Sequence, residues 1–189
     1  NLLMRKLFPF FFFLSALCFG QPIFKGLQFG MTPKQAKTEF KKNKKEYINI
    51  YIGNGFYYRI YHQNFQYSIT NNGLVGVQLG PKGTLFGMDY SNTVAYLLQT
   101  KMFFDDLNYE IFLKPDWWDA PENFHSSQSE YGMIMFDQEK FKIVQFYPVK
   151  YFNGSSISYT VNLHIYNYDW WMNDYSKSQD NNRALQKKQ

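Results

Sequence analysis

The clearest regularity in the chain lies toward its C-terminal end. Ile157, Tyr159, Val161, Leu163 and Ile165 alternate with Ser158, Thr160, Asn162, His164 and Tyr166, the period-two pattern of a strand with one buried and one wet face. Shorter apolar runs come earlier, each bounded by turn chemistry. Residues 47–52 and 56–62 flank Gly53-Asn54-Gly55, and residues 65–70 and 74–79 flank Asn71-Asn72-Gly73. Asn-Gly supplies the positive φ that tight turns need, so both pairs are predicted hairpins. Gly80-Pro81-Lys82-Gly83 closes this group. Residues 109–113 predict a further strand, and residues 131–136 and 141–147 a hairpin around residues 137–140. Asn153-Gly154 turns the chain into the alternating strand. Strands joined by such short turns make an antiparallel meander.

Two stretches have helical spacing instead. The first covers residues 33–45. Thr32 is placed to cap it, Pro33 sits where a missing N–H costs nothing, and Gln35 can bond back to the cap. Its apolar positions, Ala36 and Phe40 with Tyr47 just beyond, make one narrow stripe, which predicts a surface helix lying on a sheet. The second covers residues 90–106, where Val94, Leu97, Leu98 and Met102 keep helical spacing beside Phe103 and Phe104. It is the better candidate for burial. Phe29-Gly30-Met31 precedes the first helix and its cap Thr32; Phe86-Gly87-Met88 precedes the second, for which Asp89 and Ser91 are the candidate caps. The expected fold is α+β: an antiparallel sheet of about eight strands with two main helices packed on one face. The recurrence admits a division into two tandem α-β4 units, residues 21–83 and 84–175, followed by a polar tail over residues 176–189.

Residues 1–20 have the organisation of a secretory signal peptide. Arg5 and Lys6 form a basic start, residues 7–17 an apolar run containing Phe10 to Phe13, and Cys18-Phe19-Gly20 a site for cleavage before Gln21. The run is too short to span a bilayer comfortably. A lipoprotein signal would end just before Cys18, but Leu17 stands where such signals carry a small residue. Cys18 is the one cysteine of the 189 residues, so cleavage after Gly20 leaves a chain without disulfides or thiol chemistry. The expected location is outside the inner membrane: periplasm, cell envelope or medium.

Composition adds two facts. Twenty Phe, 16 Tyr and 4 Trp rule out disorder for the middle of the chain and favour strands. The formal charge of +5 is concentrated around the first helix, where Lys41, Lys42, Lys44 and Lys45 make a basic patch. That patch is either a solvated helix face or a contact for an anionic surface such as lipid headgroups. No nucleic-acid motif accompanies it.

The chemistry on offer is sparse. His62, His125 and His164 have no metal-ligand spacing, so no metal or cofactor is expected. His164 falls on the polar side of its strand and reads as a surface histidine; His125 lies in the long irregular segment over residues 114–130, where function often resides. Two Asp-Trp-Trp triplets stand out, Asp116-Trp117-Trp118 and Asp169-Trp170-Trp171. Trp117, Trp118, Trp170 and Trp171 could meet sugar rings while Asp116, Asp119, Glu122 or Glu130 supplies acids, or they could bury area at strand ends. No phosphate loop or nucleophile elbow is present, and the chain reads as a non-enzyme.

At Phe24-Lys25-Gly26-Leu27-Gln28-Phe29-Gly30-Met31-Thr32 the sequence resembles the opening of the secreted β-lactamase inhibitor proteins. More distantly it is similar to the small lipoproteins of the outer-membrane assembly machinery. The resemblance implies two repeats of a helical segment plus four-stranded sheet, and an exported module whose sheet face contacts a protein. The expected function is therefore an exported binding module that meets a protein partner through an aromatic-rich sheet face. The alternatives are a carbohydrate-binding or carbohydrate-active protein using the Trp/Asp clusters, and a peripheral membrane protein held by the basic patch.

Overall fold

The structure, a computed structural model, describes residues 22–24, 26–42, 50–59, 69–70, 73–74, 76–81, 87–119, 132–139, 141–174 and 177. The expected leader, most of the polar tail, His62, His125, Lys44 and Lys45 lie outside the described residues.

Strands β1 (Pro22–Phe24) and β2 (Leu27–Gln28) form a short antiparallel pair before helix α1 (Pro33–Lys42). The start of α1 is the capping box read from its residues: Thr32 N–H donates to Gln35 Oε1 at 2.9 Å, and Gln35 N–H donates to Thr32 Oγ1 at 3.3 Å. Such a pair satisfies two helix-end donors that otherwise lack partners. Ala36 and Phe40, the predicted stripe, are the buried residues of the helix.

Next come β3 (Ile50–Gly53), β4 (Phe56–Arg59), β5 (Ile69–Thr70), β6 (Gly73–Leu74) and β7 (Gly76–Pro81). After them come helix α2 (Tyr90–Asp106), β8 (Tyr109–Leu113), a 3-10 turn (Asp116–Trp118), β9 (Met133–Asp137), β10 (Lys142–Asn153) and β11 (Ser156–Asn167). Residues 168–174 are helical again. Seven strands make the main sheet in the order β3-β4-β7-β11-β10-β9-β8, and every pairing in it is antiparallel.

The expected first meander is thus modified. Among the described residues strands β5 and β6 form a ladder only with each other, and the run predicted over residues 74–79 is divided between β6 and β7. Strand β7 pairs with β4 on one side and β11 on the other. The first half of the chain therefore gives three strands to the main sheet and the second half four. The principal packing of α1 is on β2 and β6, whereas α2 takes the face of the main sheet.

Helix α2 touches β11 and β10 at the centre of the sheet and also both edge strands, β3 and β8. The sheet must curl around the helix to do this. Its inner face buries Val77 and Leu79, Val161, Leu163 and Ile165, Val144 and Phe146, and Met133 and Met135 against Tyr96, Leu97 and Phe104. The alternation of β11 is realised in this way: its apolar set from Val161 onward faces α2. Phe104 stacks on Phe146 with ring centroids 6.2 Å apart. Asp89 caps the helix by accepting from Asn92 N–H at 2.7 Å.

A polar stripe of α2 is used as fully as its apolar one. Tyr96 Oη donates to Tyr57 O at 2.6 Å and accepts from Tyr57 N–H at 3.1 Å. Thr100 Oγ1 donates to Tyr96 O at 2.6 Å, so Tyr58 Oη is the donor in the 2.8 Å bond between the two buried hydroxyls. Gln99 Nε2 donates to Ile52 O, and Asn54 Nδ2 to Gln99 Oε1. The predicted hairpin at residues 53–55 thus serves twice: Asn54 and Gly55 take positive φ (49° and 82°), and Asn54 bolts the turn to α2. Among the described residues no helix is long and apolar enough to cross a membrane.

Candidate functional site

Residues of the curled sheet that alternate with the α2-facing set define its outer face. They are Gln78 on β7, Asn162, His164 and Tyr166 on β11, Ile143, Gln145 and Tyr147 on β10, and Ile134 and Phe136 on β9. The cross-strand register aligns them: Gln78, His164 and Gln145 stand opposite one another, as do Gly76, Tyr166 and Ile143. The C-terminal helix, residues 168–174, folds back over one part of this face. Tyr168 meets Phe136 edge-on at 6.0 Å and Trp171 meets Phe112 edge-on at 5.6 Å. Ile134 and Ile143, on the same side of the sheet, are buried. Asn167 starts the helix, its Oδ1 accepting from Trp170 N–H at 2.9 Å.

Beside that helix the outer face carries a three-ring stack. Tyr147 and Tyr166 lie nearly parallel to His164 on its two sides, each 5.6 Å away between centroids. Their hydroxyls reach both ring nitrogens: Tyr147 Oη is 3.1 Å from Nε2 and Tyr166 Oη is 2.8 Å from Nδ1. A neutral imidazole satisfies this arrangement, donating to one hydroxyl and accepting from the other. Burial lowers the His164 pKa from 6.5 to about 4, so the ring is neutral at physiological pH. Burial raises Tyr166 to about 12, with smaller upward contributions from Tyr147 and Asp174. Tyr147 is also raised by burial, against the hydrogen bond from Asn162. His164 is therefore a half-buried, doubly bonded ring, not the open surface histidine expected from its polar-side position. The alternation placed it on the correct face; its cover comes from Tyr147, seventeen residues away, and from Tyr166 on its own strand.

Trp170 continues the row, tilted 34° against Tyr166 at 5.6 Å, and opens onto a cleft of about 370 Å³. Asn167, Asp169, Trp170 and Asn173 form one wall, and Phe29, Gly30 and Leu74 the other. The second wall is tightly tied. Gly30 N–H donates to Leu74 O and Leu74 N–H to Met31 O, both at 2.8 Å. Gly73, at φ +86°, has no room for a Cβ because the carbonyl of Gly30 occupies its place.

The other Asp-Trp-Trp triplet lies on the opposite side of the sheet. Trp117 is buried and, with Trp118, meets Val94, Leu97 and Leu98 of α2; Trp118 packs edge-on against Phe146 of the inner face at 5.7 Å. The structure does not bring Trp117 and Trp118 together with Trp170 and Trp171. Asp119 pairs with Lys114 at 2.7 Å and Asp116 is exposed. Lys41 and Lys42 are exposed on the last turn of α1, Lys42 lying 4.0 Å from Glu39. Among the described residues no three His, Cys, Asp or Glu side chains are grouped as metal ligands.

A second exposed feature is the far end of the β10–β11 hairpin. The ladder of β10 with β9 ends at Phe146 and that of β11 with β7 at Leu163, yet β10 and β11 pair on to Asn153 and Ser156. Pro148 falls just past the β9 ladder, where a missing N–H breaks no bond to that strand. Near the tip Phe152 and Ile157 stand opposite each other, 71% and 49% exposed. The ammonium of Lys150 lies 5.2 Å above the Phe152 ring. The base of the arm is held by a two-bond bridge between Met88 and Tyr159 and by the Tyr90–Tyr159 ring contact. No protein-family model, no curated protein and no solved structure matches this chain, so its own residues carry the functional reading.

Proposed function

We propose that the chain is an exported, non-enzymatic module that binds a protein through the β10–β11 arm. The observation that carries this reading is the Phe152–Ile157 pair, two large apolar side chains set opposite each other in water near the end of a fully paired hairpin. Exposed apolar groups concentrated at one place and rimmed by the Lys150 ammonium are the composition of an interface anchor. The antiparallel register fixes the pair in one geometry before any partner arrives, which lowers the ordering cost of association. The division into two tandem α-β4 units belongs to the same reading. Each unit opens on Phe-Gly-Met and a capped helix, and the last strands of the two units, β7 and β11, pair with each other.

The test is a photo-crosslinking residue placed at position 152 in the full-length precursor expressed in its own envelope. The reading expects one discrete crosslinked protein, lost when Ile157→Asp is added, and a processed chain beginning at Gln21. Crosslinking that is absent or scattered over many proteins removes the arm from consideration.

A further inference from the structure

We propose that the cleft between the C-terminal helix and the Phe29–Gly30 loop is a binding site for a neutral sugar. This goes beyond the protein-docking reading and stands without it. The two features sit at opposite ends of β11, roughly 35 Å apart along the strand.

Four observations select the ligand class. A space of about 370 Å³ is within the range of small-ligand clefts and suits one or two pyranose rings. Its walls mix the amide residues Asn167 and Asn173 and the carboxylate residue Asp169 with the indole of Trp170 and the largely buried Phe29. Amides offer donors and acceptors together and a carboxylate offers acceptors, which matches hydroxyl groups that both give and take hydrogen bonds. The face of an indole, negative at its centre, suits the C–H side of a sugar ring. An acyl chain would need apolar walls throughout. A phosphate or carboxylate would meet Asp169 with no lysine or arginine among the described lining residues.

The cleft is also preorganised. The Gly30–Leu74–Met31 bonds fix one wall. On the other, Asn167 caps the turn that presents Trp170, and Trp170 leans on Tyr166, whose hydroxyl is bonded to His164. A site whose walls are already held loses less entropy on binding a small polar ligand.

Isothermal titration of the full-length mature protein with maltose, cellobiose, lactose and N,N′-diacetylchitobiose, with choline and inorganic phosphate as charged comparators, tests the assignment. Saturable binding of at least one neutral sugar is expected, weakened about tenfold or more by Trp170→Ala and measurably by Asn173→Ala and Asp169→Ala. Asn173 and Asp169 are exposed, so those two variants report on the cleft even where Trp170→Ala fails to fold. Phe152→Ala should leave sugar binding unchanged while abolishing protein capture, which separates this proposal from the preceding one. The assignment is overturned if no neutral sugar in the panel binds. It is equally overturned if binding is indifferent to all three cleft substitutions, or if choline or phosphate binds in place of the sugars.

Discussion

The ring of Tyr166 fills the place where a side chain on Gly76 would be. The two residues are cross-strand partners on β11 and β7, and a Cβ added at Gly76 would collide with the Tyr166 ring and with the carbonyl of Ile165. Gly132 does the same for Tyr147, a Cβ there falling 2.6 Å from Phe146 O and 2.9 Å from Tyr147 Cβ. The two tyrosines that bracket His164 thus each have a glycine as neighbour. Gly76→Ala is expected to destabilise by about 1–3 kcal/mol, the usual cost of overpacking a fitted site. Urea unfolding measures it. An unchanged midpoint would show that Tyr166 turns away freely and that the stack is not fixed by β7.

His164 makes a second prediction, through pH. Burial holds its folded pKa near 4 against 6.5 when exposed. The unfolded chain therefore binds the proton more readily. The stabilising contribution is complete above pH 6.5 and declines as pH falls from there toward 4, by at most about 3 kcal/mol. His164→Gln should flatten this part of the stability profile relative to the parent, since the carboxylates titrate alike in both. An NMR titration of the ring in the native protein gives the direct check; a midpoint near 6.5 would mean that the ring is open to water.

Much of this was legible in the residues, and the rest was hidden for identifiable reasons. Thr32 and Gln35 form their box, and Asn54-Gly55 its turn, because those interactions are local and residue type decides them. The inner face of β11 follows from alternation alone. The fate of the two Asp-Trp-Trp triplets does not. Trp117 enters the gap beside α2, while Trp170 rides a helix on the outer face, and the shared Asp-Trp-Trp triplet does not distinguish them. The departure of β5 and β6 from the main sheet was hidden likewise, since β4 and β7 pair across the segment that carries them. His164 combines both cases: its side was readable, its burial was tertiary.

The buried hydroxyl pair of Tyr58 and Thr100 lends itself to a double-mutant cycle. Tyr58 is fully enclosed, and burial raises its pKa far above the ordinary phenol value, so it remains a neutral donor at any working pH. Tyr58→Phe leaves Thr100 Oγ1 without its incoming bond, and Thr100→Val leaves the Tyr58 hydroxyl buried without an acceptor. The second should cost more, about 1–3 kcal/mol, because a stranded donor bears the full desolvation penalty. The double variant should cost less than the sum of the singles. Strict additivity would show that the bond contributes nothing beyond the packing of the two side chains.

The tryptophans separate the core from the proposed recognition surface in one comparison. Trp117 is 5% exposed against α2, and Trp117→Ala removes a large enclosed side chain, with an expected loss of about 3–5 kcal/mol. Trp170 is only partly buried, supported by Tyr166 on one side and bordered by the cleft on the other, so Trp170→Ala should cost clearly less stability. Thermal unfolding of the two variants ranks them. Equal losses would place Trp170 in the structural core, and the cleft would then be a by-product of packing with no ring left to offer a ligand. A small loss at Trp170 with a large one at Trp117 gives the two triplets different places in the fold, the first closing the sheet over α2 and the second bordering the proposed ligand cleft.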